Sequence, residues 1–252
     1  MPRPPKTQQM PNLPAVIKQT AWQQIAEYGA PALSLRAIAR AIGITAPAIY
    51  NYYPDRDALV TALIIDAYTS FGDAQLAARD AVPADDLVGR LHATGIAYRQ
   101  WAITYPERYQ LIFGTPIPGY VAPVEQVLPA AARALSALVS VIEALRLAGR
   151  LRAPRLPAIH PAYQPMFAQW QRYGGHCDPQ SFALAIVIWA RVHGFVSLEI
   201  GHQIPPFGAD GVALYRYELD RIQHQFVAAS AEGDTIGDWG LRADRTHERR
   251  CG

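Results

Sequence analysis

The sequence predicts an all-α protein, and three observations predict it. No stretch alternates apolar and polar residues cleanly between turn signals, as a half-buried strand would. Apolar residues instead recur three and four positions apart along most of the chain, in Ala-rich segments. Pro and Gly gather in short stretches that punctuate these segments: GTPIPGYVAP (114–123), RAPRLPAIHP (152–161), GGHCDP (174–179) and QIPPFGADG (203–211).

In chain order, residues 1–11 are a Pro-rich basic arm with no periodicity, expected to be disordered. Ile17, Ala21, Ile25 and Tyr28 form the stripe of a first helix, ended by Gly29 and Pro31. Ser34 caps a second helix, whose Leu35, Ile38, Ala39 and Ile42 fall at i, i+3, i+4 and i+7, and Gly43 stops it. Thr45 starts a third. Ile44 before this cap and Ile49 four residues into the helix are placed for a hydrophobic staple. Pro47 sits in the first turn, where its missing N–H costs nothing, and Pro54 disfavours helix at Tyr53. Asp55 caps a long fourth helix running to Pro83. Further helices are expected at about 84–105, 106–113, 123–149, 161–173, 178–203 and 209–230, and an aperiodic polar tail at 231–252.

Composition narrows the class. With 252 residues and 50% hydrophobic content, the chain can bury one large core or two smaller ones. Only 17% of residues are charged, which suggests a surface partly covered by another copy. Cys177 and Cys251 make no disulfide framework, which fits a reducing cytoplasm. The N-terminus lacks the apolar core of a secretory signal, and the longest apolar run, FALAIVIWA (182–190), is short for a bilayer, so no membrane role is expected. Within residues 1–56, Arg3, Lys6, Lys18, Arg36, Arg40 and Arg56 face only Glu27 and Asp55, a net +4 against +2 for the whole chain. A basic head on a slightly acidic body suits a polyanion.

Two short helices joined by one turn at Gly43–Ile44 make a helix-turn-helix. At 100° per residue, Ile49 and Tyr53 of the second helix point back toward Ile38 and Ile42, so Tyr53 reads as packing. Ala46, Pro47, Tyr50 and Asn51 point away, with Tyr52 on the flank. The outward face begins small and neutral, then offers a phenol, an amide and another phenol. Small residues let a helix enter the major groove. Asn pairs best with the adenine edge, and Tyr hydroxyls reach phosphates without burying a charge. Arg36 and Arg56 are expected to clamp phosphates on either side, aided by free N–H groups where the second and fourth helices begin. The expected DNA-contacting set is Ser34, Arg36, Thr45, Ala46, Pro47, Tyr50, Asn51, Tyr52 and Arg56.

Residues 17–59, IKQTAWQQIAEYGAPALSLRAIARAIGITAPAIYNYYPDRDAL, resemble the N-terminal domain of the TetR family of bacterial transcriptional repressors. The shared order is an A…I..YG first helix, LSLRAIARAIGI, a recognition helix ending in IYNYY, then a charged cap and a Leu. YRQWAITYPERYQLIFG (98–114) and WARVHGFVSLEIGH (189–202) are similar to that family's WHG-type ligand domain. The resemblance implies a homodimer, a palindromic double-stranded DNA operator and an effector pocket in the C-terminal helices. It divides the chain into an arm (1–11), a helix-turn-helix domain (12–57), a ligand-binding and dimerisation domain (58–230) joined through the long helix, and a tail (231–252).

Trp101, Tyr105 and Tyr109 lie at i, i+4 and i+8. Core packing explains that stripe. A mostly apolar effector pocket lined by Trp101, Tyr105, Tyr109, Trp170 and His193 is the alternative. The last two helices are expected to form the dimer interface through Ile186, Trp189, Leu219, Ile222 and Phe226, closing a four-helix bundle. His176–Cys177, His193 and His202 show no tight ligand pair such as HxxxH or CxxC, and no phosphate loop, GxSxG or carboxylate pair appears. No metal, cofactor or enzymatic activity is expected. Two functions stay open: a repressor released by a small apolar effector, and a constitutive DNA-binding regulator with no effector.

Overall fold

The computed structural model describes residues 12–152, 157–203 and 211–228. The expected arm at 1–11 and tail at 231–252 lie outside them. Among the described residues ten α-helices follow one another: α1 (Leu13–Tyr28), α2 (Leu35–Ala41), α3 (Ala46–Tyr50), α4 (Arg56–Asp80), α5 (Leu87–Thr104), α6 (Pro106–Phe113), α7 (Val124–Leu147), α8 (Gln164–Tyr173), α9 (Pro179–Ile200) and α10 (Val212–Phe226). Single 3₁₀ turns stand at Ala30–Ala32 and Pro161–Tyr163. Among the described residues the extended backbone pairs only at an isolated antiparallel bridge, Leu151 with Val227. There Arg152 N donates to Phe226 O and Ala228 N to Arg150 O, at 2.9 and 2.8 Å, fastening the end of α10 to the end of α7.

The local chemistry behaves as the sequence suggests. Ser34 Oγ accepts from Ala37 N, and Asp55 Oδ1 accepts from Ala58 N at 2.7 Å, satisfying orphan N–H groups at the starts of α2 and α4. Asp86 and Asp178 do the same for α5 and α9. Gly43 turns the chain between α2 and α3 at φ +71°, a left-handed conformation that strains residues bearing a Cβ. One stripe is shorter than expected: Ile17, Ala21 and Ile25 are buried, but Tyr28 is exposed. The helix ends at Gly29, so its last turn projects beyond the head's core.

The helices enclose two cores. The head core gathers Ile17, Ala21, Ile25, Leu35, Ile38 and Ile49 with Leu59, Val60, Leu63 and Ile64 from the first half of α4. The body core takes Ala67 and Phe71 from further along α4, with the apolar faces of α5, α7, α9 and α10. Each fully buried Leu or Ile contributes on the order of 1.5–3 kcal/mol. One rigid helix thus belongs to both cores. Its closest neighbour is α7, and at the crossing a Cβ on Gly72 would sit 3.0 Å from Ala134 Cα. The absence of a side chain at Gly72 sets that approach.

Among the described residues two helices, α7 and α9, are long and apolar enough to cross a membrane by length and composition. Their apolar residues are largely accounted for by the body core: Val139, Val141, Ile142 and Leu145 from α7, and Phe182, Leu184, Ala185 and Ile188 from α9.

Candidate nucleic-acid interface

The helix-turn-helix packs on the head core through Leu35, Ile38 and Ile49. Helix α3 is only five residues long, but its backbone stays helical past Tyr50: Asn51 has φ −67° and ψ −21°, and Tyr53 N donates to Ile49 O at 3.0 Å. Pro54 ends it. Ile49 is wholly buried, and Ile44 packs beside it on the same core, as the staple requires. Tyr53 is half-buried, and burial raises its phenol pKa above the ordinary value. The outward face carries Thr45, Pro47, Tyr50, Asn51 and Tyr52, all exposed, with Ala46 half-buried. Tyr50, Asn51 and Tyr52 make no side-chain hydrogen bond among the described residues, so their polar tips are unspent.

The flanking charges divide differently from expectation. Arg36 is exposed and free of any ion pair among the described residues, as a phosphate clamp needs. So is Arg40 one turn on, which sequence reasoning passed over although it shares α2's outer face. Arg56 is a correction. Its Nη2 donates to Ala30 O and Pro31 O, both at 3.1 Å. That guanidinium ties the 3₁₀ turn after α1 to the start of α4 and is committed to the fold. The start of α4 is corrected with it: Asp55 already places a carboxylate there, which repels phosphate. Ser34 is half-buried and occupied as a cap.

A cavity of about 200 Å³ opens within the body between α4, α5, α7, α9 and α10. Its wall is mostly apolar, with Phe71, Leu91, Phe113, Leu138, Ile186, Trp189, Leu219 and Ile222 among the lining. Its polar groups are Tyr68, Gln75, His92, Thr94, Tyr98 and the indole N–H of Trp189; among the described residues no Asp, Glu, Lys or Arg lines it. A wider cleft, about 600 Å³, lies between the head's Ile25–Pro31 segment and the body's α6 and α9, with Tyr109 and Ser197 in its wall.

The five residues expected to line a pocket do not line this cavity. Trp101 is buried beside it, donating from Nε1 to Ser70 Oγ at 3.0 Å. Tyr105 turns outward under the Arg108 guanidinium, 4.5 Å from its ring centre. Trp170 stacks on Phe182 under α8, with centroids 5.0 Å apart. Tyr109 faces the cleft, its hydroxyl 2.9 Å from both His193 Nδ1 and Ser197 Oγ. His193 stands behind the cavity wall, where Tyr98 OH also reaches its Nδ1 at 2.9 Å, and burial lowers its pKa. The lining residues that sequence reasoning missed left a faint trace. Gln75 is a lone amide continuing the apolar stripe Ile64, Ala67 or Tyr68, Phe71 on α4, and His92 a lone imidazole beside Leu91 on α5.

Two of the expected dimer contacts, Leu219 and Ile222, are instead buried within the protomer. Ile222 is 1% exposed and Leu219 5%, both inside the protomer; Ile186 and Trp189 are half-buried in the cavity wall, and Phe226 is half-buried. The apolar residues on the open side of these helices are instead Val187, Ala190 and Leu198 of α9 and Leu214 and Tyr217 of α10. Glu199, a lone acid in the sequence, pairs with Arg99 of α5. Glu218, buried, pairs with Arg191 and joins α10 to α9.

Comparison with known proteins assigns both halves. Residues 17–63 match the family model described as bacterial regulatory proteins of the tetR family, and residues 91–222 match the tetracyclin repressor-like C-terminal domain. Over 218 residues the chain is 35% identical to the HTH-type transcriptional regulator Rv1816 of Mycobacterium tuberculosis, covering 86% of this chain and 92% of that protein; Mb1846 of Mycobacterium bovis matches equally. The crystal structure of the putative regulatory protein SCO4313 superposes with a TM-score of 0.66 at 37% identity, over 83% of this chain and 94% of that one. A Rhodococcus protein of unknown function shares the fold, with a TM-score of 0.68 at 21% identity over 88% and 98% of the two chains. With its helix-turn-helix, long connecting helix and helical body, the chain belongs to the TetR family of transcription regulators.

Proposed function

We propose that this regulator is a cytoplasmic homodimeric repressor that binds a two-fold symmetric operator and leaves it when a small, mostly apolar molecule occupies the body cavity. The observation that carries this is the position of α6. Its last residue, Phe113, forms part of the cavity wall. Its Arg108 lies over the Trp22 ring of α1, 5.2 Å from the centre, and its Leu111 and Ile112 pack on the head core. A cavity occupant that displaces Phe113 therefore moves a helix on which the head rests. Helix α4, shared by both cores, carries the same displacement.

A ligand weakens DNA binding only if it prefers the arrangement in which the two heads are wrongly spaced. Half-sites one turn apart require recognition helices roughly 34–36 Å apart, so a small tilt of α4 suffices. Two copies joined through the open faces of α9 and α10 supply the symmetry. The test is selection of binding sites from random duplex DNA by the purified protein. An inverted repeat should emerge, protected on one face of the duplex over two successive major grooves. Enrichment of a single half-site would contradict the dimer. An inverted repeat whose binding no cavity ligand alters would leave the constitutive regulator standing.

A further inference from the structure

Gln75 gives the cavity a chemical preference. Its side chain is 4% exposed and lines the cavity. Its Nε2 donates to Phe71 O at 3.2 Å and to Ala134 O at 3.4 Å, so both amide hydrogens are spent on carbonyls. Those two carbonyls fix the orientation of the amide, because the reverse would set oxygen against oxygen twice. The Oε1 atom accepts no hydrogen bond among the described residues.

The other polar groups in the wall spend their hydrogens the same way. Thr94 Oγ1 donates to Arg90 O at 2.8 Å, and Tyr68 OH to Ile112 O. Gln223 Oε1 lies 2.8 Å from His92 Nε2, which therefore carries a proton spent on that oxygen. Tyr98 OH is engaged with His193 Nδ1 at 2.9 Å, an atom it shares with Tyr109 OH. Among the described residues, the cavity therefore presents lone pairs and rings, has few free donors, and carries no Asp, Glu, Lys or Arg.

Resting on the reading of this cavity as the effector site, we infer that it selects an uncharged, largely apolar molecule of one or two rings that carries a hydroxyl or N–H donor, which Gln75 Oε1 accepts. A dry apolar cavity of about 150 Å³ takes a benzene ring, which sets the scale for the ≈ 200 Å³ here. A carboxylate would meet lone pairs with no cation in the wall, at a high desolvation cost. A matched ether or hydrocarbon would leave Oε1 buried without a partner.

The test is calorimetric titration of the full-length protein with 2-naphthol, 2-methoxynaphthalene and 2-naphthoate. We expect 2-naphthol to bind about tenfold more tightly than its methyl ether, and 2-naphthoate most weakly. Gln75→Met, which keeps the volume and removes the amide, should bring naphthol down to the ether's affinity. Ala131→Trp, which fills the cavity, should abolish binding of both. Equal affinity of alcohol and ether in the wild type would overturn donor selection while leaving the cavity a binding site. Tighter binding of 2-naphthoate would overturn it too, as would a naphthol preference that survives Gln75→Met. If no probe binds, or if all bind Ala131→Trp as well as wild type, the cavity reading fails and takes the inference with it. The wild-type series decides the matter even if a variant does not fold.

Discussion

At the scale of single residues, the proposed DNA interface draws on side chains that the fold leaves unspent. Asn51 is exposed at the end of the recognition helix with its amide free, and Arg36 and Arg40 are exposed without ion pairs among the described residues. Asn51→Ala should lose roughly 1–3 kcal/mol at one symmetric pair of operator positions and relax the base preference there, which site selection with the variant would measure. Arg36→Ala and Arg40→Ala should weaken binding to all duplexes alike and lower the steepness of the salt dependence by about one for each phosphate no longer neutralised. Arg56→Ala should act otherwise, lowering the melting temperature of the free protein because Ala30 O and Pro31 O lose their donor. The sequence made Arg56 look like Arg36, since both stand at helix starts beside the recognition helix. Only the fold shows that one guanidinium is consumed by backbone carbonyls 25 and 26 residues earlier. His193 gives a pH signature. Burial holds its folded pKa below the ordinary 6.5, so the unfolded chain takes up the proton first. Stability should be unaffected by this group well above pH 6.5 and should fall as pH drops below it, down to the folded pKa. Denaturation of His193→Gln across pH 5–8 should show a shallower acid-side loss than wild type.

At the scale of elements, periodicity says which face of a helix is buried but not what buries it. The boundaries of α4 to α10 were legible because Pro, Gly and capping Asp residues punctuate the chain; Asp55, Asp86 and Asp178 each accept an N–H at a helix start. The cavity was not legible. Trp101, Tyr105 and Tyr109 read as one stripe only if the helix is continuous. The backbone breaks at Tyr105, with φ −130° and ψ 61°, and Pro106 begins a new helix. Tyr109 thereby reaches the cleft wall, although both it and Trp101 remain in the body core. Likewise the Leu219–Ile222 stripe of α10 is buried, but by its own protomer. The pairing of α9 with α10 can be tested alone. Arg191→Leu would leave the Glu218 carboxylate buried without its partner, and should destabilise the protein by roughly 2–4 kcal/mol in chemical denaturation.

At the scale of the whole molecule, two cores share α4, and α6 touches both the head and the cavity wall. The proposed dimer follows from the faces left open: Val187→Glu combined with Tyr217→Arg should give monomers by light scattering, with operator affinity abolished and the protomer still folded. An unchanged dimer would move the interface elsewhere. The central claim is coupling between cavity and operator. It is tested most directly by titrating a compound that raises the melting temperature of the wild type, but not of Ala131→Trp, into the protein with and without saturating operator. Coupling of about 1–3 kcal/mol is usual between linked sites, and it must be reciprocal. The compound should therefore bind roughly 5- to 150-fold more weakly in the presence of operator, and operator should be weakened by the same factor when the compound is saturating. Identical affinities with and without operator would contradict the account and leave a DNA-binding regulator whose cavity does not govern it.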